Sequence, residues 1–156
     1  NITRHLIKLN PAINVLVSDV SQNMVDLALK NNPSARGKVL DCRNLQTIQE
    51  QFEGIICGFT IPYLSKKDVS KLTNDASSLL NKNGILYLSF VEGNEKKSGF
   101  ISGSSGDRTY FYYHQREMIE KNLAKNDLKI IDVIHVNYEK TIDDIELHSV
   151  FIAQKN

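Results

Sequence analysis

Apolar positions along this chain follow two rhythms. Four short stretches, NVLVSD (14–19), KVLDC (38–42), GIICGF (54–59) and GILYLSF (84–90), are almost continuously apolar and rich in β-branched residues. Strands covered on both faces in a parallel sheet read this way. Between them the period becomes helical. Residues Ile2 to Leu9 form an amphipathic pattern. Ser21 can cap a second helix, with Met24, Leu27 and Ala28 as its predicted core face and Asn31-Asn32-Pro33 as its stop. Ser65 with Asp68 resembles a capping box and opens a helix carrying Val69, Leu72, Ala76, Leu79 and Leu80 on one face. Gly84 stands just past that helix, at the position that favours a left-handed residue.

The second half changes character. Residues 92–107, EGNEKKSGFISGSSGD, are polar and rich in glycine and serine, which predicts one long mobile loop. The tyrosine-rich TYFYYH (109–114) follows. Next comes a helix from about Gln115 to Lys125, with Met118, Ile119 and Leu123 inward. LKIIDVIHVNYEK (128–140) and IELHSVFIAQK (145–155) read as two strands joined by the turn TIDD, hence an antiparallel hairpin. The alternation predicts a single α/β domain over residues 1–156. Its sheet is doubly wound and mostly parallel, with helices on both faces and a C-terminal antiparallel hairpin.

Composition narrows the function classes. Hydrophobic residues make up 41% of the chain, charged residues 24%, and the net charge is +1 with acids and bases interspersed. That pattern gives no reason to expect nucleic acid or an anionic membrane as partner, since those usually leave a one-sided basic patch. The longest apolar runs fall far short of the ~20 residues that cross a bilayer, and the N-terminus lacks a signal peptide's apolar core. Cys42 and Cys57 form no CxxC pair, and no Cys/His cluster has zinc spacing, so the expectation is two reduced thiols, a cytoplasmic setting and no metal. Oligomeric state is not readable.

In doubly wound sheets, ligands sit at the carboxyl ends of the strands. This sequence places Asp19 after the first apolar stretch, Asp41-Cys42-Arg43 after the second and Gly58-Phe59-Thr60-Ile61-Pro62-Tyr63 after the third. A carboxylate at such an end can accept two hydrogen bonds from a ribose diol, or serve only as a helix cap. Asp41 carries the same two readings, with an exocyclic amine as the ligand. Gly58 permits close backbone approach and Phe59 can wall off a pocket, or the two simply pack in a turn.

These segments together resemble the class I S-adenosylmethionine-dependent methyltransferases. NVLVSDVSQNMVDLA is similar to that family's second strand and following helix, VLDCRNL to its third strand, FEGIICGFTIPYLS to its fourth-strand motif and LLNKNGILYLSF to its helix–Gly–strand segment. YYHQREMIEKNLAKNDLKIIDV resembles the stretch before its final hairpin. In the family a first strand and a Gly-x-Gly-x-Gly turn precede the helix that begins near Asn1. The resemblance therefore implies strand order 3-2-1-4-5-7-6 with strand one absent from this chain. Buried backbone groups left unpaired at that gap would each cost ~1–3 kcal/mol, so a further N-terminal segment is expected in the natural protein.

The resemblance implies a methyl transfer from S-adenosylmethionine, leaving S-adenosylhomocysteine, with no metal. It assigns Asp19 to the cofactor ribose, Val20 and Met24 to the adenine, Asp41 and the Cys42 N–H to the adenine edge, and Gly58 and Phe59 to the methionine part. The acceptor side would comprise Tyr63, Arg108, Tyr110, Tyr112 and Tyr113, with His114 as a base; an ordinary polar cap on the Gln115 helix is the other reading of His114. Alternation puts Tyr110, Tyr112 and His114 on one side and Phe111 and Tyr113 on the other. Loop 92–107 is a candidate lid or an idle loop, and His135 and His148 are expected on the solvent face of the hairpin. The fourth-strand motif reads GFTIPYLS rather than Asn/Asp-Pro-Pro-Tyr, which favours a small-molecule acceptor over nucleic acid. A nicotinamide-dependent dehydrogenase and a non-catalytic methyltransferase-like binding domain are the alternatives.

Overall fold

A computed structural model describes residues 2–102, 106–141 and 144–156. The chain divides into two compact units, Asn1–Thr47 and Ile48–Asn156. The first holds α1 (Ile2–Leu9), β1 (Leu16–Asp19), α2 (Gln22–Asn31) and β2 (Arg36–Val39). Strands β1 and β2 pair in parallel, with Leu16 opposite Arg36 and Asp19 opposite Val39. Helix α2 buries Val25 while Met24 and Leu27 stand 51% and 50% exposed. The packed face is therefore Val25 and Leu29, one position away from the predicted one. The reason lies in β2: Gly37 offers no side chain, and Val25 and Leu29 fill its place so closely that a Cβ there would lie 2.9 and 2.8 Å from them.

The second unit holds β3 (Phe52–Cys57), α3 (Lys66–Leu79), β4 (Leu80–Glu92), β5 (Gly99–Ser102), β6 (Arg108–Phe111), α4 (Arg116–Lys125), β7 (Leu128–Thr141) and β8 (Asp144–Lys155). Four strands form one sheet in the order β3-β4-β8-β7. The pair β3 and β4 is parallel, and β8 runs antiparallel to both β4 and β7. Two residues of the turn expected at 141–144, namely 142 and 143, lie outside the described residues.

The core of this unit follows from alternation. Leu86, Leu88 and Phe90 of β4 and Phe151 and Ala153 of β8 point to one face and are at most 1% exposed. Phe90 meets Phe151 edge-to-face at 5.1 Å. Helices α3 and α4 supply the fully buried Val69, Ala76, Ile119 and Leu123. The Ser65 and Asp68 capping box forms as predicted, each side chain bonding the other's backbone N–H. Gly84 is not the left-handed residue; Asn83 is, at φ +63°. Asparagine tolerates that region better than most residues, and Gly84 is instead needed for space, since a Cβ would lie 2.8 Å from the Asn81 carbonyl.

The 92–107 segment is more ordered than a loop. It contains a short 3-10 turn, Glu95–Lys97, and strand β5, which pairs antiparallel with β6. The sequence gives no warning, because β5 (GFIS) is short and set among serines and glycines. Residues 103–105 of the segment lie outside the described residues.

Candidate active site

In the first unit, the parallel pairing brings two carboxylates to one end of the two-stranded sheet. Asp19 ends β1, and Asp41 stands two residues beyond Val39, its cross-strand neighbour. Asp19 Oδ1 accepts the Ser21 backbone N–H at 2.9 Å. Its other oxygen accepts no hydrogen bond among the described residues. Ser21, the N-cap of α2, makes no side-chain cap. Asp19 thus shapes the helix entry with one oxygen and keeps the second for another donor.

Asp41 is more heavily engaged. Its Oδ1 accepts the Arg43 N–H at 2.8 Å, and the Arg43 guanidinium lies 3.0 Å from Oδ2. The Arg43 backbone bond, helped by that guanidinium, holds the carboxyl below its ordinary value against the opposing effect of burial. Burial, then the Asp41 charge, pushes the neighbouring Cys42 thiol up, so it stays protonated. Val20 is 64% exposed and Met24 51%. These flexible and β-branched side chains offer apolar surface at the sheet end that carries both carboxylates. Both cysteines are free, Cys57 buried and Cys42 half-buried.

In the second unit the expected residues begin where β3 ends. Phe59, not Gly58, carries the unusual backbone, with φ +57°. A bulky residue there is strained by ~1–2 kcal/mol. It is held by its N–H, which donates to Ser89 Oγ at 2.7 Å. The Phe59 ring is 42% exposed. The chain then turns through Ile61–Tyr63, and the Pro62 carbonyl accepts the Tyr112 N–H at 2.7 Å. His114 pairs its backbone with Val91 and Gly93 at the end of β4. The tyrosine segment is thereby laid beside the carboxyl ends of β3 and β4.

The predicted alternation in that segment is present. Tyr110 meets Tyr112 at 4.6 Å and Tyr112 stacks on His114 at 6.1 Å, while Phe111 meets Tyr113 on the other side at 5.3 Å. Tyr63 lies edge-to-face on Phe111. Arg108 sits 5.0 Å above the Phe100 ring, and Phe100 in turn meets Tyr110. These side chains form an exposed aromatic surface on the β5–β6 hairpin.

Two of the expected residues are engaged within the protein. His114 is 1% exposed, and its Nε2 lies 3.0 Å from the Leu64 carbonyl. Burial lowers its pKa against the weaker pull of nearby carbonyls. A neutral, enclosed ring that donates to backbone pins two segments together, and it does not cap α4. The Tyr113 hydroxyl donates to Glu146, so it too is occupied within the protein.

Two residues at this sheet end were not expected. Glu146 is buried, and its Oε2 lies 3.6 Å from His148 Nε2. The His148 ring stacks on Tyr138 at 5.1 Å and meets Phe59 at 5.4 Å. It is therefore not on a solvent face as expected; its side chain is 21% exposed. The signal was available, since Glu146 and His148 flank Leu147 in a strand and so share a face. On the opposite face, Ser149 donates to Glu92, and His135 Nδ1 lies 2.9 Å from Ser149 Oγ. Ser149 is fully buried, so this second network ties β4, β8 and β7 together. His135 is exposed, as expected.

A model of the methyltransferase domain matches residues 1–84, more than half of the chain. The chain belongs to that family. This methyltransferase has the fold of the class I S-adenosylmethionine-dependent enzymes. It matches a S-adenosylmethionine-dependent methyltransferase from Methanosarcina mazei over 97% of this chain and 86% of that one, at 16% identity and TM-score 0.77. One from Clostridium acetobutylicum matches over 99% and 80%, at 18% identity and TM-score 0.73. Magnesium protoporphyrin IX methyltransferase from Synechocystis, solved with bound S-adenosylhomocysteine, matches over 96% and 68%, at 18% identity and TM-score 0.73. No curated protein matches the sequence. The family match displaces the dehydrogenase alternative. Among the described residues no three His, Cys, Asp or Glu side chains are grouped to hold a metal, and no helix is long and apolar enough to cross a membrane.

Proposed function

We propose that this methyltransferase uses S-adenosylmethionine to methylate a small-molecule acceptor, without a metal, in the cytoplasm. The observation that carries the reading is the pair Asp19 and Asp41 at the carboxyl ends of adjacent parallel strands, within the segment matched by the family. The donor set fits the cofactor. Asp19 has an oxygen to spare for the ribose diol while the other shapes the α2 entry. Val20 and Met24 supply apolar cover for the adenine, and Asp41 with the Cys42 N–H reads its edge. Gly58 and Phe59 are the residues we propose for the methionine part. The cofactor brings a methyl already activated on its sulfonium.

The chain's own task is to bring an acceptor into line and exclude water. Tyr63, Arg108, Tyr110 and Tyr112 would hold that acceptor, with the Phe100 ring beside Arg108 and Tyr110. Tyr113 leaves this set for a supporting role, because its hydroxyl is committed to Glu146. The near-neutral net charge and the GFTIPYLS motif support a small acceptor over nucleic acid. The test is calorimetric titration with S-adenosylhomocysteine, followed by transfer of a labelled methyl from S-adenosylmethionine to fractionated small-molecule extracts. Micromolar binding and a labelled small product are expected. A folded chain that binds no S-adenosylhomocysteine overturns the cofactor assignment, and label entering only protein or nucleic acid overturns the acceptor class.

A further inference from the structure

We infer that His148, oriented by Glu146, is the proton acceptor of the methyl transfer, and that the acceptor's nucleophile is a hydroxyl or amine bearing a dissociable proton. The inference rests on the cofactor reading above, because Phe59 is its link to the reacting centre.

The argument starts from burial. Glu146 is 8% exposed, and a carboxylate that far from water needs donors. Tyr113 provides one through its hydroxyl. On the other oxygen, His148 Nε2 stands 3.6 Å away, itself buried and without a hydrogen-bond partner. At that separation the carboxylate favours, without a hydrogen bond, the tautomer that carries its proton on Nε2 and so keeps the ring lone pair on Nδ1. The ring is clamped in that orientation by Tyr138 on one side and Phe59 on the other. Its cross-strand neighbours are Val91 of β4 and Val136 of β7, and among the described residues Glu146 is the charged group that meets it, with the phenols of Tyr113 and Tyr138 nearby.

Position completes the case. His148 pairs with Val91, one residue before the end of β4, and touches Phe59, two residues past the end of β3. It therefore stands at the carboxyl end of both parallel strands, where doubly wound sheets place ligands. Of the other histidines near this end, His114 is enclosed and bonded to backbone, and His135 lies on the opposite face of the sheet against Ser149 and Glu92. As the acceptor's oxygen or nitrogen forms its bond to the methyl carbon, the carbon–sulfur bond breaks and its electron pair stays on sulfur. The proton of the acceptor passes to His148 Nδ1. A carboxylate or thioether acceptor has no proton to give and would not need this arrangement.

The first experiment is nitrogen-15 NMR of the histidine rings in the full chain without cofactor, with His148 assigned from the His148→Asn spectrum. Above pH 8 the Nε2–H tautomer is expected, and Glu146→Gln should abolish that preference. With carbon-13-methyl S-adenosylmethionine bound, a nuclear Overhauser contact should join the labelled methyl to the His148 ring protons. An Nδ1–H tautomer, or bound cofactor without that contact, overturns the inference and leaves the cofactor reading intact. A wild-type chain that binds no S-adenosylmethionine overturns the cofactor reading itself. In a methylation assay on a panel of small phenols, alcohols and primary amines, His148→Asn should lower kcat at least ~100-fold with KM little changed. An undiminished kcat, or a wild type that methylates none of these compounds, refutes the assignment.

Discussion

Replacing Asp19 separates two jobs that one side chain performs. Its Oδ1 accepts the Ser21 N–H at the head of α2, and its other oxygen is the one proposed to hold the ribose. Asp19→Ala removes both. A hydrogen bond to a charged group contributes ~1.5–3 kcal/mol net, so losing one or two ribose bonds should weaken S-adenosylhomocysteine binding by ~10- to 200-fold. The lost helix-entry bond should cost a further ~0.5–2 kcal/mol of local stability, visible as faster amide exchange in α2. Asp19→Asn distinguishes the two effects. Its side-chain carbonyl can still accept from Ser21, restoring protection in α2, while the charge and one acceptor are gone, so binding stays weak. Calorimetry and exchange on the same three proteins check this. An asparagine variant that binds as tightly as wild type would show that the carboxylate serves the turn alone.

Other substitutions test the surrounding structure. Phe59 holds a left-handed φ of +57°, so Phe59→Gly should be more stable than Phe59→Ala by about 1 kcal/mol in urea titration, although both lose the same ring; equal stability would refute the strain. Burial keeps His114 neutral in the folded chain, whereas the unfolded imidazole gains a proton near its ordinary 6.5. The unfolded state then binds more protons, so stability is full above that value and declines as pH falls towards the lower folded pKa. His114→Gln should lose less stability than wild type between pH 7.5 and 5.5, and an equal loss in both would refute this. At Gly37 a larger side chain meets Leu29 and Val25, so Gly37→Val should destabilise the first unit by ~1–3 kcal/mol, read as exchange in α2 and β2.

Much of this fold was legible because its signals are local. The capping box at Ser65 and Asp68 is a three-residue pattern, and it formed. The alternation in TYFYYH needs only an extended backbone, and the rings stack as it requires. The misreadings occur where a residue's role depends on something distant in sequence. Met24 and Leu27 looked like a core face, but the empty place at Gly37 selects Val25 and Leu29 instead. His114 looked like a surface base until the turn at Ile61–Tyr63 put the Leu64 carbonyl against its ring. His148 looked like a solvent residue, because neither Phe59 nor Tyr138 is near it along the chain. Glu146 makes the same point from the energetic side. A glutamate between isoleucine and leucine on a strand reads as an ordinary outward-facing position. Only the register of the hairpin and the Tyr113 hydroxyl show it to be buried and in need of donors. A group so costly to bury is kept where it holds something in place, and here the unsatisfied partner within reach is the His148 imidazole. The segments that resemble the family are short motifs at strand ends, legible locally. The burial of His114, Glu146 and His148 is set by packing between segments far apart in the chain, which is why the sequence did not show it.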